Sequence, residues 1–157
     1  MEVHVRSARL TDLDAAVRIL AGGKDQGGDD RSADDHPNGR HDVDYLRNLL
    51  FVPSATVAVA ELERRVVGVG VLAIRPSVRS GPFVGVIDEL GLAAGTTLAA
   101  AERRRVADEI VEHLATSARN KGCTRVEVTD PLATAEPSLW KRLGFASRGR
   151  TLNRTFG

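Results

Sequence analysis

Apolar and polar residues alternate in six stretches of the chain, and a period of two predicts β-strands. In the first, Glu2–Ala8, Val3 and Val5 share one face. Two Val-rich runs on either side of the polar turn Glu63–Arg65 predict a β-hairpin. The other three strands are predicted over residues 82–93, 123–130 and 145–156.

Four further stretches have the period of an α-helix. The first begins at the N-cap residue Thr11 and ends at Gly22, and the second lies within residues 42–51. The third is long and amphipathic, with Val106, Ile110, Leu114 and Ala118 spaced by four. Since "LAAAERRR" has high helix propensity, we expect it to begin near Thr97 and to end before Gly122. The last spans residues 135–144, with Pro137 in its first turn.

The order of these elements is strand, helix, helix, three strands, long helix, strand, helix, strand. It predicts an α+β fold of three layers, in which a meander leads into a right-handed strand–helix–strand crossover. A mixed sheet with helices on both faces is the natural packing. We expect one domain over residues 1–157, since this length suits a single core.

The segment between the first two helices is rich in Gly and Asp. We expect the loop Gly22–Arg40 to be the most mobile part of the chain, because it has little apolar surface to bury. It lacks the Gly and Glu positions of a calcium-binding loop, so no metal site is expected. It is either a hydrophilic loop or an acidic border that attracts a cationic amine. Its acidic residues are Asp25, Asp29, Asp30, Asp34 and Asp35, and the histidines His36 and His41 lie within it or just beyond it.

Composition narrows the classes of function. The net charge of +1 and the few aromatic residues argue against binding to nucleic acid. No apolar run approaches the ~20 residues of a membrane-spanning helix, and no signal peptide is expected at the start. The single cysteine, Cys123, excludes an internal disulfide, so we expect a reduced, cytoplasmic setting.

Three stretches resemble the GNAT superfamily of acetyl-coenzyme A-dependent N-acetyltransferases. "VIDELGLA" at Val86–Ala93 looks like the family's fourth strand, and Ala101–Val128 looks like its long helix and fifth strand. "SLWKRLGF" at Ser138–Phe145 looks like its final helix and following turn. The resemblance implies a mixed sheet whose fourth and fifth strands are parallel neighbours that splay at one end.

The resemblance also implies where acetyl-coenzyme A binds. The backbone of Leu90, Gly91 and Leu92 would bond the pantetheine arm. Counting back from Gly122 places the pyrophosphate motif on Glu102–Ala107. Its candidate phosphate-binding residues are Arg103, Arg104, Arg105, Val106 and Ala107.

That motif departs from the family pattern. Arg105 stands at a family glycine, and Glu102 stands where a neutral or basic residue is usual. The phosphate loop is then either shifted to the "AAGTT" stretch around Gly95 or lost.

For catalysis, the resemblance leads to the fourth strand and the final helix. Glu89 or Asp88 would take the proton of the incoming amine, and Glu89 is the preferred candidate. Many family members carry a tyrosine in the final helix that protonates the leaving thiolate. Trp140 stands there in this chain, and an indole N–H is a donor but not a usable acid.

Two functions follow from these observations. The first is transfer of an acetyl group from acetyl-coenzyme A to a primary amine of a small molecule or peptide, an acceptor that would be cationic if the acidic loop borders it. The second is a non-catalytic GNAT-like binding or assembly domain that no longer uses coenzyme A. The family resemblance also implies a homodimer.

Overall fold

The computed structural model describes residues 2–22, 39–95, 97–149, 152 and 154–156, without the side chains of 39–42. The predicted mobile loop Gly22–Arg40 therefore lies almost wholly outside the described residues. Among the described helices, none combines the length and the apolar character that crossing a membrane requires.

A mixed sheet forms the middle layer of the structure. Its strands are β1 (His4–Ser7), β2 (Ala55–Leu62), β3 (Arg65–Pro76), β4 (Phe83–Leu92) and β5 (Cys123–Val128). They lie in the order β1-β2-β3-β4-β5; the first three pairings are antiparallel and the β4–β5 pairing is parallel. The predicted mixed sheet and its hairpin are thus confirmed for five of the six predicted strands.

Helices cover both faces of this sheet. They are α1 (Leu13–Leu20), α2 (Gly39–Leu49), α3 (Ala100–Asn120), α4 (Leu132–Ala135) and α5 (Pro137–Arg142). Leu13 and Ala16 of α1 and Leu46 of α2 pack with β2 and β3 in one core cluster. The other cluster combines the apolar side of α3, the opposite face of the sheet and α5. The predicted three-layer α+β fold is confirmed.

Two glycines allow α3 to pack very close to the central strand β3. A Cβ at Gly68 would lie 2.7 Å from Ile110 Cδ1 and 2.9 Å from Val106 Cγ1. A Cβ at Gly70 would lie 2.5 Å from Ile110 Cγ2 and 2.9 Å from Leu114 Cδ1. The fully buried Ile110 and Leu114 therefore fill the space that side chains on β3 would need.

A β-bulge in β4 divides that strand between the two faces of the sheet. Glu89 lies opposite Val71 and Ile87 lies opposite Leu72, so Asp88 is the extra residue. Val71 belongs to the core under α1 and α2, and residues directly opposite in antiparallel strands share a face. Glu89 therefore points to the α1–α2 side, while Leu90 packs on the α3 side.

A partly buried ion network fixes the entry into α1. Arg6 Nη1 donates to Asp12 Oδ2 over 2.7 Å, and Arg6 Nε donates to Glu61 Oε1 over 3.0 Å. The hydrogen bond from Arg6 holds the pKa of Asp12 below its ordinary value, although burial opposes this shift. The same carboxylate accepts the Arg9 N–H over 2.7 Å, closing a 3₁₀ turn at Leu10–Asp12.

Three predictions were wrong: an N-cap residue, the start of a helix and the presence of a last strand. Thr11 is not an N-cap: it lies inside this 3₁₀ turn, and α1 begins at Leu13. The long helix α3 begins at Ala100, not at Thr97. Within the described part of 145–156 there is no strand, and the side chains of Leu152 and Phe156 are 83% and 85% exposed.

We expect Gly70→Ala to lower the free energy of unfolding by about 1–3 kcal/mol, because the added methyl group overpacks the contact with Ile110 and Leu114. Urea denaturation measures the change. Gly95→Ala is the matched control, since a Cβ there meets no atom within 4 Å. Equal denaturation midpoints for the two variants would contradict the prediction.

Candidate active site

The strands β4 and β5 stop pairing partway along β4. Their register runs from Phe83 opposite Cys123 to Ile87 opposite Val128. β5 ends at Val128, but β4 continues to Leu92. This confirms that the two strands are parallel neighbours, as predicted, and it leaves the last part of β4 without a strand partner on its β5 side.

The backbone direction of this unpaired part follows from one hydrogen bond. Ala93 N–H donates to Val67 O of β3 over 2.8 Å. Because N–H groups alternate in direction along a strand, Gly91 and Glu89 also face β3. The backbone groups of Leu90 and Leu92 therefore face the gap beside β5. Gly91 instead packs against α1, where its Cβ would lie 3.1 Å from Ile19 Cγ2.

A cavity of about 160 Å³ opens beside this gap, between α3, β4 and the two short helices. Most of its lining is aliphatic or aromatic, and its charged members are one arginine and one glutamate. It is lined by Leu90, Leu92, Arg103, Ala107, Leu132, Ala135, Glu136, Leu139 and Trp140. We call this cavity the channel. Its apolar lining suits an aliphatic ligand arm that bonds to strand backbone.

Trp140 forms part of the channel wall rather than a donor group in it. The side chain is buried, and its Nε1–H donates to Leu132 O of α4 over 2.8 Å. Its ring meets Phe145 edge to face, with centroids 5.3 Å apart. The indole N–H is therefore already used to hold α4 against α5.

The predicted pyrophosphate motif lies inside α3, in its first two turns. Val106 and Ala107 are buried, and their N–H groups face the preceding turn of the helix, so they are not free to bind an anion. The free N–H groups of this helix end belong instead to its first turn, at Ala100–Glu102.

The three arginines of the motif lie in different surroundings. Arg103 lines the channel and donates through Nη1 to Ala93 O at the end of β4. Arg104 is exposed. Arg105 and Glu102 line a separate cavity of about 250 Å³ beside Leu62. Of the three, the structure brings Arg103 to the channel.

The stretch proposed as a shifted phosphate loop forms a turn before α3. Thr97 N–H donates to Ala94 O over 2.9 Å, and no atom lies within 4 Å of a Cβ placed at Gly95. Thr96 is outside the described residues. The surroundings of Gly95 are therefore open.

The two candidate bases lie at the bulge, and both are exposed. The pKa of Glu89 lies above its ordinary value. The main cause is that the carboxylate is partly shielded from solvent, and the smaller cause is the negative charge of Asp88. A carboxylate with a raised pKa is a better proton acceptor near neutral pH. Among the described residues, no group of His, Cys, Asp and Glu is arranged to hold a metal ion.

Sequence reasoning missed four lining residues of the channel: Leu132, Ala135, Glu136 and Leu139. The first two belong to α4 and the last to α5. Their apolar spacing is short and ambiguous, and only the turn between the two helices directs them toward Leu90. The one sequence signal for this wall of the channel was the pair of apolar residues Leu139 and Trp140 in the predicted last helix.

Comparison with known proteins agrees with this architecture. The model of the acetyltransferase (GNAT) family matches residues 27–145. No curated protein sequence gives a match. A ribosomal-protein-alanine N-acetyltransferase from Brucella melitensis biovar Abortus 2308 has a TM-score of 0.72 at 18% identity, covering 99% of this chain and 100% of that one.

Two further structures are similar. The aminoglycoside N-acetyltransferase AAC(6')-Iy in complex with CoA has a TM-score of 0.74 at 17% identity, over 99% of this chain and 95% of that one. An acetyltransferase from Trypanosoma brucei has a TM-score of 0.70 at 18% identity, over 99% and 100%. At such identities these likenesses establish the fold and leave the substrate open.

We expect Trp140→Phe to lower the free energy of unfolding by about 1–3 kcal/mol, because it leaves Leu132 O without its donor. Leu132→Ala is the comparison variant, since it keeps that carbonyl. In the unaltered protein the indole N–H should exchange slowly with solvent, which two-dimensional NMR measures. Rapid exchange would show that the indole hydrogen bond does not form.

Proposed function

Because the chain belongs to the acetyltransferase (GNAT) family, we propose that it transfers an acetyl group from acetyl-coenzyme A to a primary amine of a small molecule or peptide. The observation that carries the proposal is the unpaired end of β4 beside the apolar channel. A single domain over residues 1–157, a cytoplasmic setting and a homodimer stay predictions of the sequence and the resemblance.

The residues of the channel fit the pantetheine part of the donor. Leu90 and Leu92 offer unpaired backbone groups for its amides and aliphatic side chains for its methylenes. The residues that would bind the pyrophosphate match the family pattern less closely. Arg103 reaches the channel through its side chain, and the first turn of α3 supplies N–H groups and the positive end of the helix dipole.

On the acceptor side, Glu89 is the group that we propose as the base. It lies on the α1–α2 face of β4, one position before the backbone that lines the gap. Its raised pKa suits removal of a proton from an ammonium group, directly or through water. No acid is assigned to the leaving thiolate, because the Trp140 N–H is bonded to Leu132 O.

A second candidate function is a non-catalytic binding domain that has lost coenzyme A. The early start of α3 favours it, because the helix winds residues that form a phosphate-binding loop in the family. Glu102 in the first turn also opposes an anion at that helix end.

Isothermal titration with acetyl-coenzyme A separates the two functions. We expect the unaltered protein to bind and Arg103→Gln to bind less tightly. Arg105→Gly should bring no gain in affinity, because Arg105 lies within the wound helix and lines the other cavity. A clear gain would mean that the family loop forms in solution. Absence of binding by the unaltered protein would favour the non-catalytic function.

We expect Glu89→Gln to lower kcat by about 10²–10⁴-fold while acetyl-coenzyme A still binds. The base acts when ionised and its pKa is raised, so activity should fall with decreasing pH already above the ordinary value of ~4.3 for Glu. Asp88→Asn removes the neighbouring charge and should shift that loss of activity to lower pH. A larger loss of kcat in Asp88→Asn than in Glu89→Gln would assign the base to Asp88.

A further inference from the structure

Part of the sheet face that carries Glu89 is open. α1 and α2 cover Val69 and Val71 of the central strand β3. Two residues further along, Ala73 is exposed, although β2 and β4 flank it on both sides. Val84, opposite Arg75 on the same face, is fully buried, so the exposed part of this face is confined to the surroundings of Ala73. We call this exposed part the floor.

Two arginines and a glutamate border this floor. Arg75 Nη2 of β3 donates to Glu127 Oε2 over 3.3 Å. Arg125 of β5 donates to Glu127 Oε1 from Nε over 3.0 Å and from Nη2 over 2.6 Å. One carboxylate thus holds two guanidinium groups that come from strands on opposite sides of β4. We call these three residues the arginine pair site.

The arginine pair site carries excess positive charge that is open to solvent. The side chains of Arg75 and Arg125 are 53% and 47% exposed, and each guanidinium has N–H donors beyond those bonded to Glu127. Burial alone would raise the pKa of Glu127, but the hydrogen bonds from Arg125 and Arg75 outweigh it and lower that pKa. Glu127 therefore stays ionised near neutral pH, and the three residues sum to one positive charge.

The strand register places this charge on the same face as Glu89. Val86 lies opposite Ala73 of β3 and also opposite Glu127 of β5. Glu89 lies opposite Val71, two residues from Ala73 and four from Arg75. At about 3.3 Å per residue, the backbone positions of Ala73 and Arg75 are roughly 7 and 13 Å along the strand from Val71, which lies opposite the proposed base.

We propose that the arginine pair site binds a carboxylate of the acceptor, so that the preferred acceptor is an amine with a carboxylate about 10 Å away. This inference rests on the proposed function and narrows it. The amine end meets the carboxylates of Asp88 and Glu89, and the anionic end meets Arg75 and Arg125. An extended tripeptide spans about 10 Å from its amino group to its C-terminal carboxylate, which matches this distance. A purely polycationic acceptor would be disfavoured at this end of the floor.

Titration of the full chain with matched peptides tests the proposal without requiring turnover. The probes are Ala-Ala-Ala, its C-terminal amide, and Ala-Ala-Asp amide, which moves the carboxylate to a side chain. We expect the free tripeptide to bind at least about tenfold more tightly than its amide, since hydrogen bonds between charged groups are strong. Comparable tight binding of Ala-Ala-Asp amide would show that the carboxylate is recognised whichever group carries it.

The substitution Arg75→Gln combined with Arg125→Gln should abolish the preference and leave the affinity for the amide unchanged. Arg119→Gln is the matched control, since Arg119 is an exposed arginine in the last turn of α3, the helix on the other face of the sheet. Equal binding of peptide and amide, no binding of either, or a preference that survives both substitutions would overturn the proposal.

Acetyl transfer to the same peptides separates this inference from the proposed function. Transfer to acid and amide with equal kcat/KM, together with equal binding, removes the carboxylate site and leaves the transferase. Selective binding of the acid without transfer to any peptide leaves the site and counts against the transferase.

Discussion

The close approach of α3 to β3 is the constraint on which the rest of the structure depends. Gly68 and Gly70 lack the side chains that would hold the helix away, and Ile110 fills the space instead. The depth of α3 in turn places Arg103 and Ala107 against the channel. A helix one or two ångströms further out would widen the channel and move Arg103 away from Ala93 O. The glycines therefore act on the site although they do not touch it.

The two faces of the sheet carry different sets of charged side chains. On the α3 side, Arg103 bonds the end of β4 and stands close to the first turn of its own helix. On the α1–α2 side, carboxylates at the bulge face an arginine pair further along the strands. An anionic donor and a zwitterionic acceptor would thus approach through regions of suitable charge from opposite sides of β4. In the proposed function, the end of β4 beyond β5 would be the place where the two reactants meet.

Much of the fold was predictable because local pattern and tertiary structure agree. The β2–β3 hairpin, the strand β5 and the body of α3 have clear periods and flanking turns. The strand predicted over residues 145–156 was wrong because alternation alone does not make a strand, which also needs a neighbouring strand to pair with. Thr11 was wrongly predicted as an N-cap. The Asp12 carboxylate, which is held by Arg6 of β1, accepts the Arg9 N–H and so closes the turn in its place.

The site was harder to predict because it depends on contacts between residues that are distant in the sequence. Glu89 and Leu90 could be named from the strand, but their opposite faces depend on the pairing with β3. The contact between Arg75 and Glu127 joins residues that are 52 positions apart, so no local pattern reveals it. The motif in α3 could be located by counting, whereas the point at which the helix begins depends on packing and capping at its first turn.

The bulge at Asp88 makes β4 tolerant of a shorter length at one place and intolerant just beyond it. Asp88 is the extra residue, so its removal would leave Ile87 opposite Leu72 and Glu89 opposite Val71, and later side chains would keep their faces. Removal of Leu90 would instead turn Leu92 away from the channel, because side chains alternate between the faces of a strand. Natural relatives of this chain should therefore lose one residue at the bulge more readily than between Leu90 and Leu92.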